Sequence, residues 1–143
     1  MFDRRNLAKA LLPALALGAV LSCSDSTGPD DEPDVATMRV TIGATPVSFT
    51  GGCTPSVASV TIPAVGASVT GEFLRADGSP DPAVTAAEFQ LRVIPEARFT
   101  RTGAFTGTLS GGTAGQAQVS FSLFHVEEQH DDFGPCSLTV IVQ

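Results

Sequence analysis

From Thr37 onward the chain alternates apolar and polar residues with a period of two, a pattern that a strand with one dry and one wet face satisfies and a helix does not. Met38, Val40 and Ile42 alternate with Thr37, Arg39 and Thr41, and Val47 and Phe49 with Ser48 and Thr50. The pattern returns at Val69 and Phe73, at Phe89-Leu91-Val93, at Ala117-Val119-Phe121-Leu123 and at Leu138-Val140-Val142. Turn signals separate the runs: Gly51-Gly52, Pro63, Asp77-Gly78-Ser79-Pro80, Gly111-Gly112 and Gly134-Pro135. About seven or eight short strands with no long helix predict an all-β fold, an antiparallel β-sandwich over residues 37–143. One segment is ambiguous. Ala83 to Ile94 holds good helix formers, Ala86, Ala87, Glu88, Gln90 and Leu91 among them, yet Pro82, Pro95 and the Phe89-Leu91-Val93 alternation favour a loop followed by a strand.

The first 22 residues follow a different rule. Arg4, Arg5 and Lys9 precede an apolar run from Ala10 to Leu21, the charged and apolar regions of an export signal. The run is too short to span a bilayer, which takes about 20 apolar residues, and Pro13 and Gly18 interrupt it. It ends in Val20-Leu21-Ser22-Cys23, which resembles the lipobox of bacterial lipoproteins. That resemblance implies cleavage before Cys23, lipidation of Cys23, and a cell-envelope location with the membrane as partner through the lipid. The bare residues also allow an unmodified Cys23 after an ordinary signal. Ser24 rather than Asp after the cysteine implies the outer membrane. Arg4-Arg5 looks somewhat like a twin-arginine export motif, but Asp3, Leu7 and Ala8 depart from that motif and favour general secretion. Residues 23–36, with Asp30, Asp31, Glu32 and Asp34 bunched among Ser, Pro and Gly, are expected to be a disordered acidic linker.

Charge narrows the partners. From Cys23 on, five basic residues stand against fourteen acidic ones, and none of the five is Lys. Nucleic-acid binding draws on clustered Lys and Arg, so this balance excludes it as an expected activity. The chain has no Trp and no Tyr. Sugar-binding surfaces use an aromatic face with a polar handle, and Phe supplies only the face, which disfavours carbohydrate.

The stretch Arg75-Ala76-Asp77-Gly78-Ser79-Pro80, then an alternating strand, then Thr113-Ala114-Gly115-Gln116-Ala117-Gln118-Val119 resembles the bacterial immunoglobulin-like domains of surface proteins. The resemblance covers about residues 65–142. It implies an immunoglobulin-like sandwich serving as spacer, adhesion unit or binding platform, roles among which fold does not choose. The tryptophan frequent in the middle strand of such domains is missing.

With Cys23 lipidated, Cys53 and Cys136 remain as the pair for a disulfide in an oxidising compartment, two buried free thiols being the alternative. Cys136 is in phase with Leu138 and Val140, hence on the dry face.

One cluster carries chemistry. His125, Glu127, Glu128, His130, Asp131 and Asp132 lie within eight residues, in a presumed loop between the last two strands. Imidazole and carboxylate suit a divalent metal, and the same acids suit a basic partner. The spacing is not that of a helical zinc-protease motif. His125, in phase with Leu123, reads first as a histidine at the rim of the core, and the acids first as a solvated loop. No nucleophile elbow or phosphate-cradling glycine loop occurs, and Asp77 to Asp81 lacks the later glutamate of a calcium loop. The sequence therefore predicts a lipid-anchored envelope protein without resident cofactor, displaying a non-catalytic binding or structural module to an envelope partner. The alternative is a metal-binding accessory lipoprotein using the His125 to Asp132 loop.

Overall fold

The computed structural model describes residues 32–143; the signal segment, Cys23 and most of the linker lie outside the described residues. Within them the strands are β1 (Thr37–Ile42), β2 (Thr45–Thr50), β3 (Thr54–Pro55), β4 (Ser59–Ile62), β5 (Ala67–Leu74), β6 (Phe89–Ile94), β7 (Phe99–Gly103), β8 (Thr106–Leu109), β9 (Gly115–His125) and β10 (His130–Val142). One 3-10 turn, Glu96–Arg98, joins β6 to β7. No helix among the described residues is long and apolar enough to cross a membrane.

Two sheets form, one in the order β3-β2-β1-β5-β8-β7 and the other β4-β10-β9-β6. The predicted β-sandwich is correct, and the strand order extends it. Reading β1 as the first strand and β5 to β10 as the next six gives A-B-E-D in one sheet and G-F-C in the other, the order of immunoglobulin-type sandwiches. The β2–β3 hairpin and β4 are additions to that plan.

The alternation sets the core. Met38, Val40, Val47 and Phe49 from one sheet and Leu91, Phe121, Leu123 and Val140 from the other are all fully buried. Phe49 and Phe121 meet across the sandwich with ring centroids 6.1 Å apart. Burying each such ring contributes about 1.5–3 kcal/mol. The segment before β6 has no helix, and β6 buries Phe89, Leu91 and Val93 as the alternation predicts.

Three expectations need correction. The strands number ten rather than seven or eight, because Gly51-Gly52 and the Ala104-Phe105 turn cut longer runs into hairpins. The sheets are not wholly antiparallel, since β4 runs parallel to β10 with Val60 opposite Val140; alternation assigns faces but not neighbours. Finally, Gly134-Pro135 lies inside β10 and does not end it. The β9–β10 register slips between Phe133 and Cys136, so the pair forms a bulge opposite Ser122. Proline has no N–H for the ladder and suits a bulge. Gly134 takes φ +92°, and a Cβ there would come within 2.7 Å of the Phe121 carbonyl oxygen.

The chain enters the domain beside a buried carboxylate. Asp81 accepts the Asp34 N–H at 2.6 Å and the Ala83 N–H at 3.0 Å, with Arg75 Nε 3.5 Å from Oδ1. The Asp77-Gly78-Ser79-Pro80 segment is the expected turn, closed by the Arg75 N–H to the Ser79 carbonyl. The Ser79 hydroxyl and N–H both donate to Asp77 Oδ1 and hold the Asp77 carboxyl below its ordinary pKa.

Cys53 and Cys136 form a disulfide, with Cα atoms 4.9 Å apart and a sequence separation of 83. It ties the added β2–β3 hairpin of one sheet to β10 of the other. Closing so long a loop removes conformational entropy from the unfolded chain worth about 4–5 kcal/mol. Reduction is therefore expected to lower the melting temperature by roughly 20 °C, measured by circular dichroism with and without reductant. Asp81→Ala leaves the part-buried Asp34 and Ala83 N–H groups without their acceptor and Arg75 without its ion-pair partner, and is expected to cost about 2 kcal/mol in denaturant unfolding, with faster hydrogen exchange at the Asp34 amide.

Candidate functional site

The cluster at the end of β9 and the start of β10 is a strand tip rather than a loop. β9 runs through His125, β10 begins at His130, and only Val126 to Gln129 turn the chain. The ladder holds because His125 and His130 are direct register partners, with Phe89 of β6 paired on the other side of His125. The Gln129 N–H closes the turn on the His125 carbonyl at 3.0 Å, and the Val126 N–H bonds the Glu88 carbonyl at 2.8 Å. Gln129 adopts φ +57°, a left-handed conformation that costs a non-glycine residue about 1 kcal/mol or more, and its side-chain amide donates to the Val126 carbonyl.

Four of the six predicted residues come together. His125 Nδ1 lies 3.6 Å from Glu128 Oε2 and 3.8 Å from Asp132 Oδ2. His130 Nδ1 lies 3.5 Å from the same Glu128 oxygen, and His130 Nε2 is 2.7 Å from Asp132 Oδ1. One donor atom each from His125, His130 and Asp132 fall within 4.8 Å of one another. Asp132 is the extra residue of a second bulge, since Asp131 pairs with Phe124 and Phe133 with Leu123.

The other two predicted residues do not join them. Glu127 sits exposed on the turn. Asp131 points to the opposite face of β10, where it accepts the Ser122 hydroxyl at 2.6 Å and lies 3.5 Å from Arg92 Nη1. That face also carries Arg92 over the Phe124 ring at 4.9 Å. The Asp131 network fixes the strand beneath the cluster without contributing a donor to it.

Burial separates the two histidines. The His125 side chain is 18% exposed and packs on Phe89 with ring centroids 4.6 Å apart, so the rim-of-core reading and the cluster reading describe the same ring. His130 is about half exposed and meets His125 edge-on, 5.7 Å between centroids. Phe89, Ser122 and Arg92 were not singled out from the sequence. Phe89 opens an alternating run, a signal for burial but not for its partner. Ser122 is in the wet phase of β9 yet fully buried, because Asp131 covers it.

The His130 pKa is raised above its ordinary value near 6.5, first by the hydrogen bond to Asp132, which outweighs the opposing desolvation, with the charges of Asp132 and Glu128 adding. The folded chain thus favours the imidazolium. Its contribution to stability is complete below the unfolded value near 6.5 and is lost as pH rises through the higher folded value. An NMR titration of the metal-free protein is expected to place the His130 midpoint above 6.5 and Asp132→Asn to bring it back toward that value.

Among known proteins, no family model matches this chain and no curated protein matches it either, so the reading of the site rests on its own residues and their geometry.

Proposed function

We propose that this chain is a lipid-anchored protein of the bacterial cell envelope that displays its sandwich as a non-catalytic immunoglobulin-like binding module, with the β9–β10 tip as its working surface. The supporting observation is the convergence of His125, Glu128, His130 and Asp132 at one end of a disulfide-braced sandwich. Contacts on rigid β-scaffolds gather where the strands end, because the frame holds those side chains at fixed spacing. Val20-Leu21-Ser22-Cys23 supports the anchor, since a lipobox-type cysteine would carry acyl chains worth about 0.8 kcal/mol per buried methylene. The net negative charge supports an envelope protein as partner over nucleic acid or anionic headgroups.

Cys23→Ser is expected to move the protein from the membrane fraction to the soluble fraction and to abolish acyl labelling. A labelled, membrane-bound Cys23→Ser protein would remove the basis for the anchor. Site-specific photocrosslinking from Glu127, whose side chain lies beside the cluster without being part of it, is expected to trap an envelope protein, whereas crosslinks from Thr108 on the far sheet should not.

A further inference from the structure

Two imidazoles and two carboxylates brought together by strand register do not need to be gathered by the ligand, and this bears on what the tip takes up. In tetrahedral zinc sites, bond lengths of about 2.0–2.2 Å place neighbouring donor atoms about 3.4 Å apart. The contact from His125 Nδ1 to Asp132 Oδ2, at 3.8 Å, already lies within a few tenths of an ångström of that spacing, and His130 Nε2 is 2.7 Å from the other oxygen of the same carboxylate. We propose that the β9–β10 tip is a binding site for one borderline divalent cation of the zinc, copper and nickel class, with His125, His130 and Asp132 as ligands and Glu128 closing the site from the solvent side. The proposal rests on the tip being the working surface and names what it binds.

Ligand chemistry selects the class. Calcium and magnesium take six or more oxygen donors, and two of the three convergent groups here are nitrogen. Imidazole with carboxylate suits zinc, copper and nickel. The surroundings supply what a built site has. Phe89 packs against His125, ring centroids 4.6 Å apart at a 33° tilt, and limits how far the imidazole can turn. With His130 bound through Nε2, on the Asp132 side, its Nδ1 faces Glu128 Oε2 at 3.5 Å, the carboxylate–histidine arrangement that orients a metal-binding imidazole. The Asp131–Ser122 and Asp131–Arg92 contacts hold the first residues of β10 in register from the opposite face.

The ladder gives the ion a mechanical role as well. His125 and His130 close the last rung of β9–β10, so a cation between them clamps the turn that carries Gln129 in its left-handed conformation. Glu128 sits on the exposed side, 61% accessible, where a donor from a partner could replace it.

The test is zinc uptake by the purified full chain in detergent, read by competition with a chromophoric chelator, which suits a protein without Trp or Tyr. The expected result is one zinc per chain, competed by copper and nickel but not by a large excess of calcium. The double substitution His125→Ala, His130→Ala should weaken uptake about 100-fold or more, and Asp132→Asn about 10-fold or more. Glu127→Gln removes the same charge from an adjacent residue outside the cluster and should change it less than about twofold, which separates coordination from general attraction to acids. Far-UV dichroism melts show whether each variant is folded, and His130→Gln, at an exposed position, keeps the test open if the double variant is not. Absence of zinc uptake by the wild type, uptake unchanged by the histidine variants, or equal losses for Glu127→Gln and Asp132→Asn would overturn the metal site. The anchored-module reading would then stand or fall on its own fractionation and crosslinking results.

Discussion

The pairing of β10 with β9 is the contact on which the rest of this domain depends. β10 binds β9 along one edge and β4 in parallel along the other, and it receives the only covalent link between the sheets among the described residues, at Cys136. It carries the buried Cys136, Leu138, Val140 and Val142 in unbroken alternation and then, toward its start, breaks register twice. The regular half makes core and the irregular half makes the site. A strand pair without the Gly134-Pro135 and Asp132 bulges would still close the sandwich, but it would aim Asp132 elsewhere.

Periodicity made the core legible before the structure. Alternation at Met38-Val40-Ile42, Phe89-Leu91-Val93 and Val119-Phe121-Leu123 names the buried residues because each apolar side chain on a half-wet strand must face the other sheet. What alternation cannot carry is partner choice or register shifts, which are settled by contacts distant in sequence; hence the parallel β4–β10 pair and both bulges were missed. The site was half legible. Composition found the six polar residues, and treating them as a loop erased the rule that would have sorted them, since Asp131 and Asp132 fall on opposite faces once the segment is a strand. Gly134-Pro135 was a usable signal, read as a turn when its place within an apolar run pointed to a bulge.

Three of the five arginines of this acidic domain face carboxylates. Arg39 faces Glu72, Arg75 faces Asp81, and Arg92 lies between Asp131 and Glu96. The exposed Arg39–Glu72 pair contributes about 0–1 kcal/mol, so its effect is more on the surface field than on stability. With those charges matched, the uncompensated acids of the turn stand out, and the potential there attracts cations of any kind before coordination chemistry discriminates among them.

The position of Asp34 has a consequence for how the molecule would sit. Its N–H bonds Asp81, in the connection between β5 and β6 that ends at Phe89 beneath His125, so the chain enters the domain at the same pole as the β9–β10 tip. Gln143 lies at the other pole, bonded to Ile62. A domain hung from Cys23 would therefore turn its histidines toward the bilayer, with Gln143 at the far pole. Traffic to the tip would be limited to ions and to proteins moving along the same surface. Tether length would then act as an aperture, and lengthening it would widen the range of what can enter.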